Sequence, residues 1–172
     1  MPIKNLIFDN LDFLLITYII IARIFELFLS KKNTKNLLHK GAREFFPFHY
    51  NFIFFFHCIL IIYFFFKCFE NHEINVLFFF IFFLLQIIRF KVIYDLGEYW
   101  TTRIIVLESK KLLKTGIYKY LNHPNYLVVF FEVIFLCLFF KDYIALIVFT
   151  IIKSLLLTVR IFYEEKANRN RF

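Results

Sequence analysis

The chain has 172 residues, enough for one domain, and is 61% hydrophobic and 23% aromatic, with 29 phenylalanines and only 3 glycines. A soluble domain of this size cannot bury that much apolar surface, so the composition excludes a water-soluble globule and makes lipid the solvent. The formal net charge of +8 would suit an anionic partner, yet the charges sit in the gaps between apolar blocks. No basic stripe interleaved with aromatics is present, so a nucleic-acid surface is not expected and a topological role is.

In chain order, the first apolar block covers residues 11–29, and blocks 51–69 and 74–94 follow; each is long enough to cross a bilayer core. Lys4 precedes the first block, but Asp9 and Asp12 interrupt its approach and no small-residue cleavage site follows, so no cleavable signal is expected. Blocks 126–140 and 143–159 are shorter and separated by Lys141 and Asp142 alone. They predict the two helices of a tight hairpin whose ends continue past the hydrocarbon. The expected fold is therefore all-α: one domain over residues 1–172, a polytopic integral membrane protein with about five transmembrane helices. Residues 1–94 make a three-helix part, and residues 95–172 a cytoplasmic segment, a hairpin and a tail.

Charge sets the expected orientation. Sixteen of the 21 Lys and Arg residues fall in 30–50, 89–120 and from 160 onward, whereas Lys4, Lys67 and Lys141 mark the opposite ends. The positive-inside rule then puts the N-terminus outside, with both basic loops and the C-terminus in the cytoplasm.

Polar groups within the blocks need partners. Arg23 and Glu26 lie three apart, share a helix face and can neutralise each other. His57 lies in the second block, and Gly41, Glu44, His49 and Tyr50 just before it; a structural role in helix docking is the plain reading. Cys58, Cys68 and Cys137 all lie in apolar runs without a CxxC, and read as small buried hydrophobes.

The long polar interval, residues 97–126, holds two of the glycines and the only tryptophan. Gly97, Trp100 and Arg103 recur every third residue, which predicts a helical start with Trp100 as an interface anchor. Lys114-Thr115-Gly116 predicts a turn. His123-Pro124 predicts the start of the fourth helix, since proline has no N–H to lose in a first turn. The remaining N–H groups of that turn suit an anionic group. Near the chain's end, Arg160 and Glu164 are four apart and face the same way.

These residues carry a resemblance. Gly116-x-Tyr118 followed by His123-Pro124-Asn125-Tyr126, and then Arg160 with Glu164-Glu165, resembles the isoprenylcysteine carboxyl methyltransferase family of integral membrane enzymes. The match covers the C-terminal half in order and spacing. Gly97, Trp100, Thr101, Arg103 and Ile104, with Arg23, Glu26, Asn33, Gly41, Glu44, His49 and Tyr50, are similar to a bacterial branch, some members of which methylate long-chain alkylpyrones. Three positions depart from the family pattern: Asn122 stands for Arg, Val128 for Gly and Asn168 for an apolar residue.

The resemblance implies an S-adenosyl-L-methionine site enclosed by the polar segment and the last hairpin. Arg103, Leu112 and Leu113 with the backbone from Lys111, Tyr118, the run His123, Pro124, Asn125 and Tyr126, and Glu164 would hold the cofactor. Arg160 would face the substrate oxyanion as the catalytic residue; no metal is implied. The implied partners are a lipophilic small-molecule or lipidated substrate and membrane lipid, in a bacterial inner membrane.

The chemistry suits these residue types. A carboxylate or a vinylogous acid is already ionised at neutral pH, so methyl transfer to it needs no strong general base. Positioning and exclusion of water then carry the catalysis, with Arg160 orienting the oxygen by a charge-assisted hydrogen bond. Glu164 would favour a cationic cofactor and compensate Arg160. Two other readings remain at this point: a phospholipid N-methyltransferase, and a non-enzymatic small subunit or channel. An amine acceptor disfavours an arginine, and a channel leaves the spacing of 116–126 and 160–165 unexplained.

Overall fold

The computed structural model describes residues 10–110 and 116–169. Among these, five helices run α1 (Leu11–His39), α2 (Pro47–Lys67), α3 (Val76–Leu96), α4 (Pro124–Phe139) and α5 (Tyr143–Ala167). Leu11–His39, Pro47–Lys67, Val76–Tyr99 and Tyr143–Ala167 are long and apolar enough to cross a membrane; Pro124–Phe139 is a shorter apolar helix. The protein is an all-α polytopic membrane fold, as the apolar blocks predict.

Local chemistry sets the helix ends. Asn75 caps α3 by accepting from the Leu77 N–H at 3.1 Å, and Asp142 caps α5 by accepting from the Ala145 N–H at 3.0 Å. Pro47 and Pro124 stand at the first turns of α2 and α4. The predicted hairpin is formed by α4 and α5, with Lys141 in the left-handed region at φ +50°.

Chain direction alternates, so the same ends gather. Leu15 of α1, Phe64 of α2, Phe82 of α3, Phe139 of α4 and Ala145 of α5 form an apolar core toward one end of the bundle. At the other end lie the His39 end of α1, the Pro47 end of α2, the Leu96 end of α3, the Pro124 end of α4 and the Ala167 end of α5. That second end carries Tyr118, His123, Arg160 and Glu164.

Two features differ from the sequence expectation. First, α1 runs on to His39 rather than ending near residue 29. Second, the segment after α3 is not a continuing helix. Gly97 adopts φ +52° and ends α3, a short 3-10 turn covers Gly97–Tyr99, and Trp100 is extended. Ile104–Val106 then forms a strand, β2, antiparallel to β1 (Arg43–Phe45), in the register Arg43↔Val106, Glu44↔Ile105, Phe45↔Ile104. The physical reason is local. Thr101, Thr102, Ile104, Ile105 and Val106 are β-branched and favour extended backbone once the helix has been broken.

Between the two ends, the bundle holds a buried ionic cluster. Arg23 donates to Glu26 at 2.7 Å and to Glu132 at 2.5 Å. Arg89 donates to both oxygens of Glu26, one of them at 2.7 Å, and to Glu132 at 3.3 Å. Gln86 donates to Glu132 at 2.8 Å and accepts from the Tyr18 hydroxyl at 3.3 Å. The Arg23–Glu26 pairing expected from spacing is present, but it is half of a two-arginine, two-glutamate set tying α1, α3 and α4. Lys153 of α5, also buried, has its Nζ 3.1 Å from His57 Nε2 of α2.

Candidate functional site

At the polar end, a cavity of about 530 Å³ opens between three pieces of chain. One wall is the segment following α3, through Tyr99, Trp100, Thr101, Arg103, Ile104, Ile105, Leu107 and Lys110. A second is the entry to α4, through Tyr118, Asn122, His123, Asn125 and Tyr126. The third is the last part of α5, through Arg160, Glu164, Glu165 and Asn168, and Leu37 of α1 adds an apolar patch. A volume of this order holds a small organic ligand.

The entry to α4 is built on a close approach. Gly116 has φ +58°, and a Cβ there would run into the Asp95 carboxylate. An oxygen of that carboxylate accepts from the Ile117 N–H at 3.3 Å. Glycine is thus favoured by the backbone conformation, and any side chain there would displace the Asp95 carboxylate. The turn brings Tyr118 into the cavity wall. Burial, then the charges of Glu164 and Asp95, push the Tyr118 phenol up from its ordinary value, so it stays a protonated hydroxyl.

His123 precedes α4 and stacks on Tyr126, with centroids 5.3 Å apart and planes 16° from parallel. Its ring also lies 3.6 Å from Glu165. The first turn of α4 differs from expectation: the Tyr126 and Leu127 N–H groups turn back to the His123 carbonyl, at 3.1 and 3.4 Å. Those two donors are therefore not offered to an anion.

Across the hairpin, the Arg160 Nε donates to the Tyr126 hydroxyl at 3.1 Å, and that hydroxyl donates to Glu164. Arg160 and Glu164 share a face, as their spacing predicts, and the Tyr126 oxygen links them. Compensation of the buried guanidinium thus passes through a phenol on a second helix. Arg103 pairs with Glu44 of β1 at 2.7 Å and lies over the Tyr50 ring, 4.8 Å from its centroid.

The structure gathers Arg103, Tyr118, His123, Asn125, Tyr126, Arg160 and Glu164 around the one cavity. Pro124 is buried at the start of α4 and does not line it. Its ring fixes the helix entry and carries no polar atom for a ligand. Leu112 and Leu113 lie outside the described residues. Trp100 corrects another expectation: rather than anchoring at the lipid interface it is 2% exposed and part of the cavity wall. Its neighbours Thr101, Ile104 and Ile105 join the wall without a signal in the residue spacing, because a broken helix hides which side chains point together. Asn122 and Asn168, two of the departures from the family pattern, also line the cavity. Two polar atoms of wall residues, Trp100 Nε1 and Asn125 Oδ1, are buried without a hydrogen-bond partner. A native structure seldom leaves such groups unsatisfied unless a ligand or water completes them.

Among known proteins, residues 76–169 match the isoprenylcysteine carboxyl methyltransferase (ICMT) family. The protein YpbQ of Bacillus subtilis (strain 168), itself uncharacterized, is 31% identical over 158 residues, covering 90% of this chain and 94% of its own length. An uncharacterized protein of Haemophilus influenzae (strain ATCC 51907 / DSM 11121 / KW20 / Rd) is 38% identical over 84 residues, 48% of this chain and 49% of that one. No solved structure matches the chain. The family match spans α3 to the end of α5 and so contains nearly every residue that walls the cavity. With its apolar helices and a polar cavity at one end of the bundle, the chain is a membrane protein of the methyltransferase kind, and it belongs to the isoprenylcysteine carboxyl methyltransferase family.

Proposed function

We propose that the protein is an S-adenosylmethionine-dependent O-methyltransferase whose acceptor is a lipophilic oxyanion. The acceptor is a carboxylate or an enolate, of the prenylcysteine or long-chain alkylpyrone type. The observation that carries this reading is the common cavity of Arg160, Tyr126, Glu164, His123 and Tyr118. The distribution of Lys and Arg supports a cavity on the cytoplasmic side of a bacterial inner membrane.

The residues present suit the cofactor. Glu164 offers a carboxylate to a cationic ligand, while the Asn125 Oδ1 and Trp100 Nε1 are an acceptor and a donor left without partners. Leu37, Leu96, Ile104, Ile105 and Leu107 make an apolar wall for a flat base. When bound, S-adenosylmethionine supplies an electrophilic methyl group on sulfur.

The chain's own residues then position and enclose. Arg160 holds the acceptor oxygen through its guanidinium. The Tyr126 hydroxyl holds Arg160 through Nε and fixes the direction in which the rest of the fork points. Glu164 balances positive charge on both sides of the same hydroxyl. No residue has to remove a proton, because the acceptor arrives ionised. The apolar wall and the bundle exclude water, which strengthens each of these charge interactions.

The test uses the purified protein in lipid nanodiscs. Titration calorimetry with S-adenosylhomocysteine should show binding, and labelled methyl should pass to a lipid carboxylate or an alkylpyrone. Phosphatidylethanolamine should remain unlabelled, since an amine gains nothing from Arg160. Labelling of phosphatidylethanolamine alone, or no binding of S-adenosylhomocysteine, overturns the reading.

A further inference from the structure

The cavity wall that follows α3 is not self-supporting. Residues 97–107 contain one 3-10 turn and one three-residue strand, with a bend at Thr102 and Arg103 between them. The turn closes on itself through the bond from the Trp100 N–H to the Gly97 carbonyl at 3.2 Å. Yet this strap presents Tyr99, Trp100, Thr101, Arg103 and Ile104 to the cavity.

The second half of the strap pairs with β1; what holds the first half, residues 97–102, is α1. The Asn33 side-chain amide donates to the Gly97 carbonyl at 3.0 Å and to the Trp100 carbonyl at 2.8 Å, spanning the turn from one end to the other. One turn earlier, the Ser30 hydroxyl accepts from the Thr102 N–H at 2.9 Å and is hydrogen-bonded to the Thr102 hydroxyl at 2.8 Å. Asn33 is 5% and Ser30 3% exposed. Both lie beyond the apolar block at residues 11–29. At about 1.5 Å per residue the 29 residues of α1 measure about 43 Å, against about 30 Å of hydrocarbon. The extra turns are not needed for crossing; they carry Ser30, Asn33 and Leu37 to the strap.

We infer that Asn33 and Ser30 are positioning residues for ligand binding: through the backbone of residues 97–102 they set the Trp100 side of the cavity, without touching the ligand. Both precede residue 76, where the family match begins, so the site is completed by a part of the chain outside that match. The inference rests on the cofactor reading above. It assigns the clamp to cofactor affinity rather than to the transfer step, because Arg160, Tyr126 and Glu164 sit on α4 and α5 and are held by each other.

The experiment compares the full-length protein with Asn33→Ala, Asn33→Asp, Ser30→Ala and Ser30→Thr in nanodiscs. Asn33→Ala and Asn33→Asp should weaken S-adenosylhomocysteine binding about tenfold, since each strips the turn of both donated bonds. They should raise the cofactor KM by a similar factor and leave kcat at saturating cofactor within about threefold. Ser30→Ala should weaken binding less, and Ser30→Thr, which keeps the hydroxyl, should bind like the unaltered protein. Wild-type affinity in both Asn33 variants, or a fall in kcat with affinity unmoved, overturns the inference. Hydrogen exchange at the Trp100 and Thr102 amides gives a second readout free of ligand. Faster exchange in Asn33→Ala, with exchange in α4 unchanged, supports the clamp, and unchanged exchange overturns it. If the unaltered protein binds no S-adenosylhomocysteine, the cofactor reading fails by itself, and the exchange data still decide whether the clamp exists.

Discussion

Tyr126 on α4 and Arg160 on α5 meet across the hairpin, with the guanidinium Nε donating to the phenolic oxygen at 3.1 Å. The same oxygen donates to Glu164, so a single hydroxyl orders a cation and an anion lying one helical turn apart. Sequence spacing placed Arg160 and Glu164 side by side; the atom that joins them comes from 34 residues away.

Tyr126→Phe keeps the ring and its stack on His123 but removes that atom. Arg160 loses a partner for Nε and Glu164 loses its donor. The expected outcome is a fall in kcat of about tenfold or more, with unfolding stability reduced by about 1–2 kcal/mol. Single-turnover methyl transfer and chemical denaturation in detergent check the two halves.

Arg160→Ala should cost more turnover and less structure. The Tyr126–Glu164 bond remains, so the hairpin stays closed, while the acceptor oxygen has lost its orienting charge. Turnover should drop about 10²-fold or further, as for other single electrostatic groups at a reacting oxygen. Binding of S-adenosylhomocysteine should persist. Turnover like that of the unaltered protein removes Arg160 from the mechanism.

The ionic cluster predicts a stability effect with a non-additive signature. Removing one partner strands a buried charge, so Glu132→Met should destabilise by about 3 kcal/mol, and Arg89→Met comparably. The double variant leaves Arg23 paired with Glu26 at 2.7 Å and should recover much of the loss. A double-mutant cycle on denaturation midpoints measures this, and strictly additive losses contradict the cluster.

Tyr118 predicts an alkaline effect. Its folded pKa lies above the value near 10 of an unfolded tyrosine, because burial and the Glu164 and Asp95 charges disfavour the phenolate. The folded state therefore holds this proton more tightly. The associated stability is fully present below pH about 10 and is lost as pH rises through the interval up to the native value. Tyrosinate absorbance of the folded protein, with Tyr118→Phe subtracted, should show no contribution from Tyr118 at pH about 10. Stability at alkaline pH should fall less steeply in Tyr118→Phe.

Much of the architecture was legible from the chain. Five apolar blocks became five helices because burial in lipid is recorded residue by residue along each block. His123-Pro124 marked the start of α4 because proline is tolerated there and not further in. The family resemblance groups Arg103, Tyr118, His123, Asn125, Tyr126, Arg160 and Glu164, and all seven line the same cavity. Trp100 is hidden from such reading, since tryptophan at a helix end usually faces the interface and here a glycine break turns it inward. Glu132, Arg89 and Lys153 gave no signal as a set, because an ionisable residue in an apolar run does not name its partner.

Order, span, hairpin and the gathering of polar ends on one side therefore followed from the one-dimensional pattern of apolar runs and cations, which lipid and charge act on directly. Which atoms meet was a matter for the tertiary structure alone. Arg23 finds Glu132 at a separation of 109 residues, and Asn33 finds Trp100 at 67. Such encounters depend on how far each helix is rotated about its axis and slid along it, and packing between helices sets both.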